Sequence, residues 1–220
     1  MATKHFIWNF SLDSASDTLH DLLSHEPQVS KEALKWEVRF FFSEDEEIIL
    51  RHLGSQFLWC SHYRFTTHKD VYILSPEHDR NIKYRKKALA FKPLVRQEDG
   101  LCAYRKKERY KAKEIPAFWA QHFPDISFDA MLMEDTSDRE SYRSILVYKE
   151  ALVHRFSGHT GAKIELSRIA CLDRTFTSVC IESNSKVLTH ALRTAIIPGA
   201  TSISYVQFLK RIMDPSPSFF

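Results

Sequence analysis

The sequence predicts an α+β fold whose strands form one mostly antiparallel sheet or barrel with flanking helices. Two observations favour this class. After a first strand and helix, strand-like segments follow one another along most of the chain with one further helical segment among them, and two helices stand near the end of the chain. Chains that segregate strands from helices in this way form α+β domains. No linker divides the 220 residues, so we expect one domain over residues 31–214 and an N-terminal arm over residues 1–30.

The first predicted elements are a short helix in the arm and a strand after it. Residues Asp17–His25 carry leucines at helical spacing, which indicates an amphipathic helix packed on the domain. The segment Lys35–Phe40 alternates strictly, so its apolar side chains share one face and Lys35, Glu37 and Arg39 share the other. This pattern predicts a strand with a charged face.

A helix is predicted after this strand. Ser43 is a good N-cap residue, and Glu46 stands three positions later, as in a capping box. Ile48 and Leu53 supply apolar positions, and Gly54 is suited to follow the last turn. The pattern therefore predicts one helix between Ser43 and Gly54.

Short strands are predicted along the middle of the chain. Pro76 and the pair Asp99-Gly100 mark turns between them. One helix, at about Glu114–Phe123, interrupts the strands, and the acidic segment Glu134–Asp138 is predicted to be a loop. The predicted strands are Phe57–Phe65, Asp70–Leu74, Asn81–Lys86, Leu89–Val95 and a segment from Gly100 to about Tyr110.

Three strands and two helices are predicted for the last third of the chain. Gly158 and Gly161 bracket a turn, and Ser185 is placed to cap the first of the two helices. The strands are Tyr142–Phe156, Ala162–Ala170 and Phe176–Ser183, and the helices are about Lys186–Ile197 and Ser204–Ile212.

The glycine content excludes folds that hold phosphate with their backbone. The chain has 5 glycines, and none lies in a G-x-G-x-x-G or G-x-x-x-x-G-K pattern. A dinucleotide-binding crossover and a P-loop are therefore not expected. Any phosphate must be bound by side chains.

Other features of the composition indicate where the protein works. Hydrophobic residues make up 44% of the chain, which excludes a disordered protein. No apolar run is long enough to span a membrane, and the N-terminus is not a typical secretory signal. The four cysteines have no close spacing. We therefore expect a cytoplasmic or nuclear protein that does not bind membranes.

The positive charge of the chain is clustered. The net charge is only +3, but Lys83–Lys87 and Tyr104–Lys113 are strongly basic and contain tyrosines. Such clusters indicate a polyanionic partner, either phosphates or nucleic acid. The ordinary alternative is a charged strand face in contact with solvent. In a closed barrel the same faces would line the interior, where charges require a ligand or counter-charges.

The order of these segments resembles the CYTH superfamily, also called triphosphate tunnel metalloenzymes. This group includes thiamine triphosphatases, inorganic triphosphatases, class IV adenylate cyclases and the RNA triphosphatases of mRNA capping. Lys35-Trp-Glu37-Val-Arg39 stands where the family has Glu-x-Glu-x-Lys, and Cys180-Ile-Glu182 stands where it has Glu-x-Glu. The resemblance covers residues 34–212. The other segments similar to family strands are Asp70-Val-Tyr72, Lys83-Tyr-Arg85, Leu89–Lys92, Tyr148–Arg155 and Lys163–Leu166.

The resemblance implies a tunnel that binds a triphosphate and hydrolyses it with Mg²⁺ or Mn²⁺. Glu37, Glu165 and Glu182 are the implied catalytic and metal-binding residues. The substrate class is an RNA 5′-triphosphate, a nucleotide or an inorganic triphosphate. The candidate phosphate-binding residues are Arg39, Lys83, Arg85, Lys92, Lys106, Lys149, Arg155 and Arg168.

The chain also departs from the family pattern. Lys35 and Cys180 stand where the family has acids, and Ala151 stands where the capping enzymes have an arginine. Mg²⁺ can be bound by one or two carboxylates together with water and phosphate, so three glutamates are compatible with activity. The alternative hypothesis is a catalytically inactive module that binds RNA or polyphosphate, or an interaction subunit.

Overall fold

The computed structural model describes residues 3–13, 19, 23, 33–124, 128, 142–156 and 161–214. Within these ranges the strands are β1 (Thr3–Ile7), β2 (Phe10–Asp13), β3 (Lys35–Ser43), β4 (Ile48–Leu50), β5 (Arg64–Leu74), β6 (Asn81–Arg85), β7 (Ala88–Lys92), β8 (Leu94–Glu98), β9 (Leu101–Tyr104), β10 (Glu108–Lys111), β11 (Arg143–Arg155), β12 (Lys163–Cys171) and β13 (Arg174–Ser183). The helices are α1 (Ile115–His122), α2 (Lys186–Ile196) and α3 (Tyr205–Met213). Short 3-10 turns cover Ser55–Leu58, Cys60–His62 and Ala112–Glu114.

Ten of these strands form one sheet, in the order β10-β7-β6-β5-β11-β12-β13-β3-β9-β8. Every neighbouring pair in it is antiparallel. A second small sheet has the order β1-β2-β4. The predicted α+β class with a mostly antiparallel sheet is confirmed.

The large sheet is strongly curled. Lys92 ends β7 and Glu37 lies in β3, six strands away in the sheet, which would separate them by roughly 29 Å if the sheet were flat. Instead the Lys92 ammonium and the Glu37 carboxylate are 2.5 Å apart. The two ends of the sheet therefore face each other across an interior, and the side chains on the concave face meet there.

A single bent hairpin supplies both ends of the curled sheet. Its first arm passes from β7 to β8 through Pro93, and its second arm passes from β9 to β10 through residues 105–107. The β7–β10 half pairs at one end of the sheet, and the β8–β9 half pairs with β3 at the other. The Arg105 amide donates to the Pro93 carbonyl at 3.0 Å, which ties the two arms together at the bend. The hairpin thus connects the two ends of the curled sheet, so that the sheet forms a continuous wall around its interior.

The convex face of the sheet carries two hydrophobic cores. In the larger one, Trp36, Val38 and Phe40 of β3 are buried with neighbouring strands beneath the small sheet and α2. In the smaller one, Ile73, Ile82 and other residues of β5–β7 pack against α1. These cores explain why every second residue of these strands is apolar, because successive side chains of a strand point to opposite faces of the sheet.

Along these strands, the side chains on the concave face change from apolar to charged. On β11, Ile145 and Val147 are buried against α3, whereas Lys149 and Arg155, further along the same face, line an open cavity. Phe176 and Glu182 show the same change on β13. Helix α3 therefore fills one end of the curl, where its Phe208, Leu209 and Ile212 pack on five adjacent strands.

The predicted helix between Ser43 and Gly54 is wrong. Ser43 ends β3, where it pairs with Phe176, and Ile48–Leu50 is strand β4, which runs parallel to β2. Ile48 is buried and Ile49 is exposed, which is strand alternation rather than a helical stripe. The partner strand lies about forty residues earlier, so the local capping signal could not reveal it.

Other predicted elements differ from the observed ones in type or in their bounds. Phe57–Phe65 is wrong as a strand, because it holds two 3-10 turns before β5 begins at Arg64. Leu89–Val95 is divided at Pro93, and the segment from Gly100 to Tyr110 is divided into β9 and β10. The bounds of the remaining strands and helices agree with prediction to within a few residues. Strand β5 is the exception, because it begins six residues before the predicted start at Asp70.

The arm predicted for residues 1–30 contributes β1 and β2, and Phe10 and Leu12 are fully buried in the larger core. The predicted helix at Asp17–His25 lies outside the described residues except for Leu19 and Leu23, as do the acidic loop Glu134–Asp138 and Gly158. Among the described helices, none has the length and hydropathy needed to cross a membrane.

Candidate polyanion-binding site

The concave face encloses a cavity of about 800 Å³. Among the described residues, twelve basic and three acidic side chains line it, a formal excess of nine positive charges. Its charged residues are Lys35, Glu37, Arg39, Arg64, Lys83, Arg85, Lys92, Lys106, Lys107, Arg109, Lys149, Arg155, Lys163, Glu165 and Glu182. We call this the basic cavity.

Two of its carboxylates face each other across neighbouring strands. Glu37 of β3 and Glu182 of β13 are register partners. The Lys92 ammonium lies between them, 2.5 Å from Glu37 Oε2 and 3.6 Å from Glu182 Oε2. Lys35 and Lys163 also pair with Glu182, at 2.7 and 3.2 Å. Three ammonium groups thus share two carboxylates.

The third carboxylate, Glu165, holds two deeper cations. Arg39 donates to Glu165 Oε1 at 3.2 Å and to Ser178 Oγ at 3.1 Å, and Lys149 donates to the same Glu165 oxygen at 2.9 Å. Burial alone would raise the pKa of Glu165, but Lys149 and Arg39 outweigh it and lower that pKa. The pKa of Glu37 likewise falls to about 2, because Lys92 and Arg39 outweigh its burial. Both carboxylates are ionised at neutral pH.

A fourth acid, Asp70, lies on the same face of β5 as His68 and Tyr72, which line the cavity. It is 2% exposed and accepts from Lys83 at 2.9 Å and from the Arg85 guanidinium through both oxygens. Burial would raise its pKa, but hydrogen bonds and charge from Arg85 and Lys83 bring it down to about 2. One carboxylate therefore holds two cations of β6 in fixed positions.

The interior cations still lack enough counter-charge. Burial lowers the pKa of Lys149, and the neighbouring Arg39 and Lys83 lower it further against the opposing effect of Glu165. The pKa of Lys83 is lowered by burial and by Arg85, although Asp70 opposes this. Each of these ammonium groups would gain from an additional anion in the cavity.

Five more cations surround the opening and form no ion pair with a described carboxylate. Four of them are exposed, and Lys107 is half-buried. Burial lowers the pKa of Lys107 to about 8, and Lys83, Arg85 and Arg109 contribute by repulsion. We call this set the rim, and its members are Arg64, Lys106, Lys107, Arg109 and Arg155.

The three glutamates do not form a set that fits a divalent metal ion. Lys92 occupies the bridging position between Glu37 and Glu182, and Glu165 is committed to Arg39 and Lys149. Among the described residues, no group of three His, Cys, Asp or Glu side chains is arranged to hold a metal. A divalent ion placed at the glutamates would also be repelled by these close ammonium and guanidinium groups.

Most of the predicted site residues meet in the basic cavity. It brings together Glu37, Arg39, Lys83, Arg85, Lys92, Lys106, Lys149, Arg155, Glu165 and Glu182. Arg168, which was also predicted to bind phosphate, does not line the cavity. It follows Ser167 on β12, whose side chain is on the concave face, so Arg168 points to the convex face, where it pairs with Glu44 at 2.7 Å.

Several basic residues that line the cavity were not among the predicted phosphate-binding residues. Lys163 stands two positions before Glu165, and Lys35 two before Glu37, so strand alternation alone places both on the charged face. Arg64 was missed because the strand predicted over Phe57–Phe65 has the wrong boundaries. Lys107 and Arg109 lie beside Lys106 in the basic segment that crosses the bend of the hairpin.

No protein-family model matches the chain, and no curated protein matches its sequence. Among solved structures it is similar to HpAC1 from Hippeastrum, described as a candidate adenylyl cyclase with a dominant triphosphatase activity. That similarity has a TM-score of 0.44 at 13% identity and covers 83% of this chain and 98% of that one. A candidate adenylate cyclase from Bacillus halodurans gives 0.39 at 10% identity, over 73% and 87%. Both TM-scores are low, so function has to be inferred from the cavity itself.

Proposed function

We propose that the basic cavity binds a polyphosphate chain, either an inorganic polyphosphate or the triphosphate end of a nucleotide or RNA. The observation that carries the proposal is the excess of nine positive charges around one enclosed space. Charges gathered in a partly buried cavity are costly unless an anion neutralises them. A phosphate chain supplies several negative charges in a row, which matches cations projecting from neighbouring strands.

The dimensions and donors of the cavity support the same ligand class. A volume of about 800 Å³ is typical of small-molecule sites. The guanidinium groups of Arg39, Arg85 and Arg155 offer planar pairs of donors, and the lysine ammonium groups act as point charges. Both are suited to phosphate oxygens.

In this proposal the glutamates position cations rather than a metal ion. Glu37 and Glu182 hold Lys92 between them, and Glu165 holds Arg39 and Lys149. Phosphate then binds to cations whose places are already set, which reduces the entropy lost on binding. Tripolyphosphate is expected to bind without any divalent cation.

Isothermal titration calorimetry with tripolyphosphate in EDTA tests the proposal. Arg155→Gln removes an exposed rim cation and should weaken binding roughly three- to tenfold, the effect of losing one interaction as strong as a typical hydrogen bond in water. Arg168→Gln is the matched control, because Arg168 lies on the convex face and its loss should leave the affinity unchanged. Absence of binding by the wild-type protein, or equal losses in the two variants, would contradict the proposal.

Hydrolysis of the bound triphosphate with Mg²⁺ or Mn²⁺ is the second candidate function, and the resemblance to the CYTH superfamily is part of it. It rests on the register pairing of Glu37 and Glu182, and it requires a divalent ion to displace the Lys92 ammonium from between these two carboxylates. Phosphate release from tripolyphosphate, ATP and triphosphorylated RNA should be compared with a Glu37→Ala, Glu165→Ala double variant. The binding function predicts equal background from both proteins. Release by the wild type alone would establish the enzyme.

A further inference from the structure

We propose that the basic cavity admits a phosphate chain only by its free end, and this inference rests on the proposed function. The observation behind it is independent of charge. Among the described residues, helix α3 closes one end of the curled sheet, so the cavity ends there as a blind pocket. A chain that enters it has to terminate inside.

The closed end is built from tightly packed aromatic and aliphatic side chains. Tyr205 of α3 stacks on Tyr72 of β5, with ring centroids 4.9 Å apart and planes 4° apart. Phe41 of β3 stacks on Phe208 at 3.7 Å. All four belong to the core that joins α3 to the concave face. This end is well packed, so a phosphate chain cannot continue past it.

The C-terminal half of α3 is also anchored. The Lys210 ammonium donates to the carbonyl oxygens of Pro76 and His78 and pairs with Asp79 at 2.8 Å. These contacts join α3 to the loop between β5 and β6. The helix is therefore held at the closed end by polar contacts as well as by its apolar face.

Cations concentrate next to this closed end. The Arg39 guanidinium lies 5.1 Å from the centre of the Tyr205 ring, and the Lys83 ammonium lies 5.1 Å from the centre of the Tyr72 ring. Lys149 lies on the same face of β11 as the residues that touch α3. A terminal phosphate carries more charge than an internal one, so this group of cations suits a chain end. The rim is placed to contact the phosphates that follow.

The inference excludes ligands whose chain ends are blocked. A long linear polyphosphate should bind like tripolyphosphate, with one protein molecule for each chain end. The same polymer with both terminal phosphates converted to bulky phosphoramidates keeps almost all of its charge and its internal phosphates. It should be rejected, because no end can enter the pocket.

The test compares the capped and uncapped polymers with the intact protein by calorimetry in EDTA. We expect the uncapped chain to bind at least about tenfold more tightly, and its stoichiometry to be independent of chain length. Equal binding of the two polymers, with stoichiometry rising with length, would overturn the inference and leave the proposed function intact. Failure of tripolyphosphate and both polymers to bind would instead overturn the proposed function.

A variant of the deep cation Lys149 provides a second measurement. Lys149→Met leaves Glu165 paired with Arg39 and should weaken the uncapped polymer and tripolyphosphate by similar factors, about tenfold. The residual binding of the capped polymer, which is confined to the rim, should not change. An equal loss for capped and uncapped chains would overturn the end-on arrangement.

Discussion

At the scale of single residues, two stacked tyrosines at the closed end of the cavity differ in what their hydroxyl groups contact. The Lys83 ammonium donates to the Tyr72 hydroxyl at 3.3 Å. The Tyr205 hydroxyl is buried without a hydrogen-bond partner among the described residues. A buried polar group without a partner is destabilising because it has lost its hydrogen bonds to water.

Removing the two hydroxyl groups should therefore have opposite effects. Tyr205→Phe is expected to keep or raise the free energy of unfolding by up to about 1 kcal/mol, whereas Tyr72→Phe should lower it by about 1 kcal/mol. Urea unfolding of both variants measures the difference. A loss in Tyr205→Phe as large as that in Tyr72→Phe would show that the Tyr205 hydroxyl has a partner.

We expect Lys107 to make the proposed anion binding depend on pH. Its pKa of about 8 means that it is charged below this pH and neutral above it. Tripolyphosphate binding should therefore weaken several-fold as the pH rises from about 7 to about 9, with a midpoint above 8, because a bound anion stabilises the charged form. Lys107→Arg stays charged throughout and should lack this loss.

The ratio of wild-type to Lys107→Arg affinities, measured at each pH, cancels the titration of the ligand itself. A ratio that does not change with pH would contradict the role given to Lys107.

Single residues were predictable where strand alternation was intact. Glu37 and Arg39 follow from the alternation around them, and Lys83 and Arg85 follow from theirs. The pairing that neutralises these groups was not predictable, because Lys92 and Glu37 are 55 positions apart and meet only after the sheet curls. This long-range pairing places a cation between two of the glutamates that the resemblance implies as metal ligands.

At the scale of elements, the tip of the bent hairpin depends on glycine. Asp99 and Gly100 both have positive φ, at 53° and 76°, as in a type I′ turn, which needs such angles at both central residues. A Cβ on Gly100 would collide with the Ser202 hydroxyl, which donates to the Gly100 carbonyl at 2.9 Å. Gly199 has a similar φ of 78°, but a Cβ there would meet open space.

These two glycines form a matched pair for mutation. Gly199→Ala should cost only the left-handed backbone conformation, about 1 kcal/mol. Gly100→Ala should cost more, about 2–3 kcal/mol in total, because Ser202 must also move and its hydrogen bond weakens. Thermal or urea unfolding compares them. Equal losses would show that the loop around Ser202 adapts without cost.

Predictability at this scale depended on where the partner of an element lies. Helices α2 and α3 were predicted because their serine caps and apolar stripes are local features. The helix between Ser43 and Gly54 was wrong because β4 is stabilised by β2, which is distant in sequence. Likewise, Leu89–Val95 is extended throughout, but Pro93 cannot donate to a ladder and marks the point where the segment changes from one end of the sheet to the other.

At the scale of the whole molecule, charge is separated between the cavity and the outer surface. The cavity's excess of nine positive charges exceeds the net charge of +3 for the entire chain. The remainder of the chain is therefore net negative. This distribution attracts polyanions to the opening and repels them elsewhere, which favours fast and localised association.

Salt should accordingly have opposite effects on the free and the bound protein. Raising NaCl from about 50 to 300 mM screens the repulsion among rim cations, so the free protein should melt at a slightly higher temperature. The increase in melting temperature produced by tripolyphosphate should shrink over the same range, because binding is electrostatic. Differential scanning fluorimetry measures both. A tripolyphosphate shift that is insensitive to salt would contradict electrostatic binding in the cavity.

The bent hairpin has one further consequence, for self-association. An open sheet presents unpaired amide and carbonyl groups on its outermost strands, and these can recruit another polypeptide into an aggregate. Here the outermost strands, β8 and β10, are only five and four residues long and carry charged side chains. Short, charged edges are poor templates for strand addition. The same segment that completes the wall of the cavity therefore also protects the ten-stranded sheet against edge-to-edge polymerisation.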